Sequence, residues 1–389
     1  MSADIQQNAA GGGVAKSVPR GIDVGRLEKE LAASWQTAGG EEESGMTRVC
    51  VLNLIAYVTP TEDRQKIDAL LDVVTLHAPA RILLLIADRA TTEATLDAYV
   101  STRCQAASRG GAKQVCGEQV TIEAGGAALD TAASAIEPLV MPDVPVFLWW
   151  KDIPHEEDKL FNRLVELSDR VVIDSVVFDH PHEDIKRLAQ IIRERGQYIL
   201  VSDLNWGRLT SWRNLIASFW DVPDYRPHLD AIDDVLVEYD PPDVASTEIA
   251  AQALIVVGWL ASALKWQPTG EAVREGNSTR FTLQAGERRI KVEFRPAADR
   301  EGCDGYIAAL TLKSSAGGAE FYAGVNESWT KLETSARIGD ARGVDRVVSY
   351  EAKSEGERLS RELSILSRDE VYERAVASAG QLIEVLQKS

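Results

Sequence analysis

The sequence predicts an α/β fold: a mostly parallel or mixed sheet covered by helices, followed by a smaller C-terminal α+β domain on an antiparallel sheet. Apolar strand-like runs alternate with helical segments between residues 48 and 195, which is the pattern of an α/β domain. Strand candidates such as 82–86 and 171–173 are continuously apolar, as expected when both faces of a sheet are covered. After Pro268 a period of two predicts half-buried antiparallel strands.

Each element of the first part follows from a local pattern. A helix is predicted over 24–35, after a Gly-rich start that predicts a disordered tail over residues 1–20 and before a polar linker at 39–45. Further helices are predicted at 63–76, 129–139, 159–167 and 183–195. Strands are predicted at 48–58, 81–87, 101–107, 114–122, 144–149 and 171–175, the third and fourth being candidates for a hairpin.

The remaining elements are helices of two kinds and a set of alternating strands. One helix carries an apolar face with the spacing i, i+3, i+4 and i+7, made by Trp212, Leu215, Ile216 and Phe219. A second, at 247–264, is apolar nearly all round, which predicts burial between layers. Strands follow at 281–284, 289–294 and 306–312, and a capping box at Ser367 begins the last helix. The predicted domains are a tail with a helix (1–44), an α/β domain (45–268) and an α+β domain (269–389).

Composition excludes several classes of partner. A net charge of −18 over 389 residues argues against binding to nucleic acid or to anionic membranes, since both need clustered Lys and Arg. The longest apolar run, 253–264, is shorter than the roughly 18–20 residues that cross a bilayer. The N-terminus has no basic start followed by an apolar stretch, so the sequence predicts a cytoplasmic protein.

The four cysteines are Cys50, Cys104, Cys116 and Cys303, which form no Cys-x-x-Cys pair. Under the reducing conditions of a cytosol, buried thiols are the favoured interpretation, with a regulatory disulfide as the alternative.

No segment predicts a metal or a cofactor. The cluster at 179–184 holds two histidines and three acidic residues, but Pro181 between the histidines favours the start of a helix over a zinc site. Glycine-rich phosphate loops are absent, although Gly125-Gly126 lies between a strand and a helix, where an anion is conceivable. Asp174 and Ser175 end a predicted strand, where ligands of α/β sheets bind, but helix capping is the default interpretation.

Two segments are rich in tryptophan and arginine, the side chains that most often anchor protein interfaces. One is 203–213 and the other is 145–150. They hold the candidate partner-binding residues Trp149, Trp150, Asp203, Asn205, Trp206, Arg208, Trp212 and Arg213. Structural packing is the competing interpretation, with the arginines paired to Asp203 or Asp221. Trp206 and Arg208 are expected in a loop before the helix and are therefore the better candidates for contact.

Four segments in this order resemble the signature segments of the OpcA family, the glucose-6-phosphate dehydrogenase assembly proteins of cyanobacteria and actinobacteria. They are 142–150, 169–175, 203–213 and 258–261. The resemblance implies a non-catalytic partner that binds glucose-6-phosphate dehydrogenase and promotes its active oligomer. In cyanobacterial members, activation is linked to thioredoxin through cysteines. Because no cysteine follows Cys303, a C-terminal redox switch is not expected here.

The function predicted from the sequence is therefore that of a protein that binds and allosterically activates glucose-6-phosphate dehydrogenase. A second hypothesis is an enzyme or small-ligand sensor that uses the carboxyl ends of the α/β strands near Asp174, Ser175 and Asp203. A third is a structural subunit that holds the dehydrogenase together without changing its turnover.

Overall fold

The computed structural model describes residues 15–16, 20–38, 47–48, 50–106, 114–243, 247–298, 300–343, 345–350 and 353–388. The predicted tail over residues 1–20 lies largely outside these residues, and the predicted linker at 39–45 lies wholly outside them.

The first sheet contains ten strands within the described residues. They are β1 (Ala15–Lys16), β2 (Arg20–Gly21), β3 (Thr47–Arg48), β4 (Leu52–Val58), β5 (Ala80–Asp88), β6 (Thr95–Ala106), β7 (Gln114–Gly125), β8 (Val146–Trp150), β9 (Arg170–Ile173) and β10 (Leu200–Asp203). The helices that alternate with them are α1 (Val24–Ala38), α2 (Arg64–His77), α3 (Leu129–Ile136), α4 (Lys159–Glu166) and α5 (Pro181–Arg195).

The order of the main strands is β7-β5-β4-β8-β9-β10. Strand β4 lies parallel to both β5 and β8. Numbered along the chain, this order is 3-2-1-4-5-6, which defines the Rossmann type of doubly wound sheet. All seven residues of β4 are buried, as expected for a central strand of such a sheet. The predicted hairpin is confirmed, because β6 and β7 pair antiparallel.

The second sheet is built mainly from the C-terminal third of the chain and is mostly antiparallel. Its strands are β11 (Asp234–Tyr239), β12 (Gln267–Glu275), β13 (Ser278–Ala285), β14 (Arg288–Pro296), β15 (Ile307–Ser314), β16 (Ala319–Val325), β17 (Lys331–Ile338), β18 (Ala341–Arg342) and β19 (Arg346–Ser349). The other helices of the chain are α6 (Leu204–Arg208), α7 (Thr210–Ser218), α8 (Arg226–Leu229), α9 (Ala251–Leu264), α10 (Glu355–Glu362) and α11 (Glu370–Leu386). The predicted fold class is confirmed.

The compact units of the chain are discontinuous in sequence. One contains residues 1–173, 196–202 and 354–368, and the other contains the remaining residues. Strand β11 pairs with β14 and β15 in the middle of the second sheet. A boundary after residue 268, as predicted from the sequence, would therefore separate this sheet from one of its central strands.

Helix α9 is buried along almost its whole length, as predicted, and packs against α11. Gly258 makes this packing possible, because a Cβ atom there would lie only 2.8 Å from the backbone nitrogen of Ala379. Within the described residues, no helix combines the length and the apolar composition that crossing a bilayer requires.

The favoured interpretation of two of the cysteines is corrected by the structure. Cys104 and Cys116 face each other on β6 and β7 and form a disulfide, with 4.1 Å between their Cα atoms. They are twelve residues apart in sequence, and only the register of the hairpin brings them together. Cys50 and Cys303 are free thiols.

Candidate functional site

The strand order of the first sheet reverses between β4 and β8, the point at which open α/β sheets bind their ligands. A Rossmann fold implies a dinucleotide there, held by a glycine-rich turn and by free amides at the start of the next helix. The turn between β4 and α2 is Thr-Pro-Thr-Glu-Asp and contains no glycine. Asp63 Oδ1 accepts hydrogen bonds from the backbone N–H groups of Gln65 and Lys66, at 2.9 and 3.4 Å.

The Asp63 carboxylate therefore already accepts hydrogen bonds from the backbone amides that a pyrophosphate would need. It also places a negative charge at the start of α2. Glu62 adds a second carboxylate beside it, 3.7 Å from Lys151 Nζ. The residues at this point do not fit a dinucleotide.

The tryptophan pair that ends β8 lies at the same point and is buried. The rings of Trp150 and Tyr57 stack with 3.7 Å between their centroids. Burial raises the pKa of Tyr57 to about 12, and its hydroxyl accepts a 2.7 Å hydrogen bond from Arg89 Nε. Trp149 and Trp150 are each 1% exposed. The expectation that they contact a partner directly is therefore corrected: they pack the core of the sheet.

The segment 203–213 forms a buried polar network instead of a loop surface. Asp203 Oδ1 accepts from the backbone N–H groups of Ser175 and Asn205, at 3.0 and 2.9 Å. Asp203 Oδ2 accepts from the hydroxyls of Ser175 and Tyr372, at 2.6 and 3.1 Å. Asp203 is also the N-cap of α6. The network joins Ser175 and Asp203 to α6 and α11.

Asp203 is 1% exposed, and its surroundings disfavour the ionised carboxylate. Burial, followed by repulsion from Asp174, raises its pKa from 3.8 to about 6, although the hydrogen bonds from Ser175 and Asn205 oppose the shift. A carboxyl group of this kind resembles a catalytic acid electrostatically. Both of its oxygens are, however, occupied by donors of the same chain.

Arg208 pairs with Asp174 and not with the two acids considered from the sequence. Its two terminal nitrogens donate to the two oxygens of Asp174 at 2.6 and 2.7 Å. The side chains are only 7% and 11% exposed. Tyr306 lies against the guanidinium, with 5.7 Å from the Arg208 Cζ atom to the ring centroid. Arg208 thus contacts both Asp174, through two hydrogen bonds, and Tyr306, through its ring.

The other residues of the segment are also buried or hold buried neighbours. Asn205 accepts a 2.8 Å hydrogen bond from Gln252, whose own carbonyl accepts from the backbone N–H of Ile307. Trp206 donates from its indole nitrogen to Asp369 at 2.8 Å. The Arg213 guanidinium covers the same indole, 3.4 Å from the ring centroid.

Exposure decides which predicted contact residues can reach another molecule. Asp203, Asn205, Trp206 and Trp212 are between 0 and 5% exposed, so in this conformation they cannot form an interface directly. The prediction that Trp206 and Arg208 lie in a loop is wrong, because both belong to α6. Arg213 is partly exposed and remains a candidate. Most of the predicted contact residues are therefore buried within the protein, and Arg213 is the exception.

Sequence reasoning missed the partners that complete the network: Gln252, Tyr306, Asp369 and Tyr372. Each of the four lies more than 45 positions along the chain from the residue that it contacts. Asp369 carries the one local signal, because it caps α11, but a capping signature does not reveal a tertiary hydrogen bond.

The acidic and histidine cluster at 179–184 is the start of a helix, as predicted, since α5 begins at Pro181. His182 Nε2 accepts from the backbone N–H of Ile249 at 3.0 Å, and burial lowers the pKa of this histidine. Across the part of the chain that the structure describes, no three His, Cys, Asp or Glu side chains are arranged to hold a metal ion.

Comparison with known proteins identifies two adjacent family models. Residues 72–190 match a model described as the glucose-6-phosphate dehydrogenase subunit N-terminal domain. Residues 199–376 match a model described as the C-terminal domain of the same subunit.

Two curated relatives carry the name OxPP cycle protein OpcA. The protein of Nostoc punctiforme is 29% identical over 81% of this chain and 67% of its own length. That of Synechocystis is 27% identical over 81% of this chain and 66% of its own length. Among solved structures, an NAD-binding oxidoreductase from Klebsiella pneumoniae is 10% identical, with a TM-score of 0.47 over 87% of this chain and 96% of its own.

Proposed function

Since this chain belongs to the OpcA family of glucose-6-phosphate dehydrogenase subunits, we propose that it binds glucose-6-phosphate dehydrogenase in the cytoplasm. It promotes the active oligomer of that enzyme without catalysing a reaction itself. The observation that carries this proposal is the pair of family matches, which together extend from residue 72 to residue 376 with a short gap. The relatives named for the OxPP cycle support a role in the oxidative pentose phosphate pathway.

The geometry of the first sheet supports a non-catalytic role. A Rossmann enzyme uses the point where the strand order reverses to hold its nucleotide. Here the amides at the start of α2 are capped by Asp63, and the Tyr57–Trp150 stack fills the ends of β4 and β8 with buried aromatic surface.

The cluster around Asp203 supports the same conclusion. A general acid or base must offer a free oxygen to substrate within hydrogen-bonding distance. Four donors from the chain itself surround the two oxygens of Asp203. Asp174, the other acid at these strand ends, is held by both terminal nitrogens of Arg208. The arrangement suits a rigid scaffold better than an enzyme or sensor centre.

Activation by a binding protein requires differential affinity. A partner that binds the active and inactive assemblies equally well shifts nothing, however tightly it binds. The proposed activation therefore requires this chain to prefer the active oligomer, and a tenfold preference corresponds to about 1.4 kcal/mol.

The test is to mix the purified full chain with purified glucose-6-phosphate dehydrogenase from the same organism, and to measure complex mass and turnover together. A complex with increased turnover is the expected result. A complex without a change in turnover would support only the hypothesis of a structural subunit. If neither a complex nor a change in turnover is detected, binding is rejected. A titration of the isolated chain with NADPH, NADP⁺ and glucose 6-phosphate tests the ligand-sensor hypothesis, and we expect no saturable binding.

A further inference from the structure

The tryptophans that remain accessible differ from those that the sequence singled out. Of the eight whose side chains the structure describes, five are buried: Trp149, Trp150, Trp206, Trp212 and Trp266. The other three are partly exposed: Trp220, Trp259 and Trp329. Trp220 packs edge-on against Phe321, and Trp259 lies within α9. Trp329 lies in the loop that joins β16 to β17, between neighbours that are exposed.

Trp329 adopts a backbone conformation that is unusual for a large side chain. Its φ angle is +56°, in the left-handed region that glycine and asparagine occupy readily and that bulky residues avoid. A residue held in such a conformation at a loop tip calls for a functional explanation. Glycine or asparagine would adopt the same backbone conformation with less strain. The turn therefore does not require tryptophan, and we attribute the presence of this residue to its indole ring.

The loop is preorganised by Asn326. Its Oδ1 atom accepts from the backbone N–H groups of Thr330 and Lys331, at 2.9 and 3.0 Å, and its Nδ2 donates to Ser328 Oγ at 2.9 Å. The backbone N–H of Trp329 donates to the Asn326 carbonyl at 2.9 Å. A rigid loop loses little conformational entropy when it binds, which increases the affinity that one side chain can supply.

Two neighbours complete a surface of the composition typical of binding hot spots. The rings of Tyr306 and Trp329 lie 6.4 Å apart, and Tyr306 is partly exposed. The exposed Arg300 donates to the backbone carbonyl of Glu327 in the same loop. We call Arg300, Tyr306 and Trp329 the Trp329 surface. Trp, Tyr and Arg are the three residue types most enriched where alanine substitution costs the most affinity.

Contacts connect this surface to the segment through which the sequence resembles its family. Arg208, fixed by Asp174, lies against Tyr306, and Tyr306 contacts Trp329. Arg208, which was predicted as a contact residue, thus supports Tyr306, and Tyr306 in turn contacts the partly exposed Trp329.

We infer that Trp329 is the main contact residue through which this chain binds glucose-6-phosphate dehydrogenase, and that Arg300 and Tyr306 contribute to the same interface. The inference rests on the proposed function for the identity of the partner. The complementary feature on the dehydrogenase is an apolar pocket with a hydrogen-bond acceptor for the indole N–H and a carboxylate within reach of Arg300.

The experiment compares the dehydrogenase affinity of four full-length chains: wild type, Trp329→Asn, Trp329→Gly and Trp220→Ala. Asparagine and glycine both accept the left-handed conformation, so these variants remove the indole and keep the turn. We expect each to bind at least about 30-fold more weakly, which converts to about 2 kcal/mol at 1.4 kcal/mol per tenfold. Their urea unfolding midpoints should stay close to that of the wild type.

Trp220→Ala is the matched control. Trp220 is also partly exposed but packs on Phe321, so its loss should lower the unfolding midpoint and leave the affinity unchanged. The inference is overturned if the wild type binds and Trp329→Asn binds within threefold of it. A large loss of stability in both Trp329 variants would also overturn it, because the indole would then be a packing residue. A wild type that does not bind would instead refute the proposed function.

Discussion

Replacement of Asp203 by asparagine tests the buried network directly. Oδ1 accepts from two backbone N–H groups, which an amide oxygen satisfies equally well. Oδ2 accepts from two hydroxyls, those of Ser175 and Tyr372, and hydroxyls can accept a hydrogen bond as well as donate one. Asp203→Asn should therefore preserve the geometry while removing the ionisation.

The size of the effect follows from the raised pKa. The shift from 3.8 to about 6 corresponds to about 3 kcal/mol at 1.4 kcal/mol per unit. Because the pKa of the folded state is the higher one, the contribution of Asp203 to stability is fully present below pH 4 and is lost as the pH rises through 6. Near pH 8 the carboxylate is ionised against the preference of its surroundings, which include Asp174. The variant should be more stable there by as much as about 3 kcal/mol.

The assay is urea unfolding of both proteins at pH 8 and at pH 5.5. At pH 5.5 the wild type recovers about 1 kcal/mol by protonation, so the advantage of the variant should shrink by that amount. Asp130→Asn, at an exposed position of α3, controls for the loss of one negative charge. An equal difference at the two pH values would refute the raised pKa. A variant less stable than the wild type at pH 8 would show that the hydroxyls do not reverse.

Two further substitutions test the packing and the ion pair that hold the same region. Gly258→Ala should lower the free energy of unfolding by about 1–3 kcal/mol, because the new Cβ atom would clash with the backbone of α11. This loss should exceed the gain from the better helix propensity of alanine. An unchanged urea unfolding midpoint would contradict the close approach of α9 and α11. Arg208→Met leaves Asp174 buried without its partner and should lower the free energy of unfolding by about 3–5 kcal/mol, measured in the same way. The double variant Arg208→Met/Asp174→Asn should recover part of that loss. A loss below about 1 kcal/mol for the single variant would mean that the ion pair is solvated.

Much of the fold is predictable from the sequence because its signals are local. The apolar run of β4 and the caps of α2 and α4 depend on residues within a few positions of one another. Strands β11, β16 and β17 were not predicted, although β11 alternates buried and partly exposed residues. Its role depends on pairing with β14 and β15, which begin more than 50 residues later, and a local pattern does not specify such partners.

The candidate site was less predictable for the same reason. Trp206 carries no local sign of burial, since it follows a strand and precedes a helix, where loops are common. What covers it is the guanidinium of Arg213 and the hydrogen bond to Asp369, a residue 163 positions away. The aromatic and arginine composition drew attention to the segment 203–213, but tertiary contacts decide which of its members are exposed.

The burial of the predicted tryptophans is compatible with the proposed binding role of Trp329, because a buried segment can hold a more exposed residue in place. A buried network in which the oxygens of both carboxylates accept hydrogen bonds holds one arrangement more rigidly than apolar packing alone, because breaking it leaves polar groups unpaired at low dielectric. Asp203, Asp174 and Arg208 form such a network behind Tyr306. If Trp329 binds the dehydrogenase, its affinity should depend on that rigidity. Arg208→Met should then weaken binding without touching the partner, whereas Trp329→Asn should weaken binding without weakening the fold.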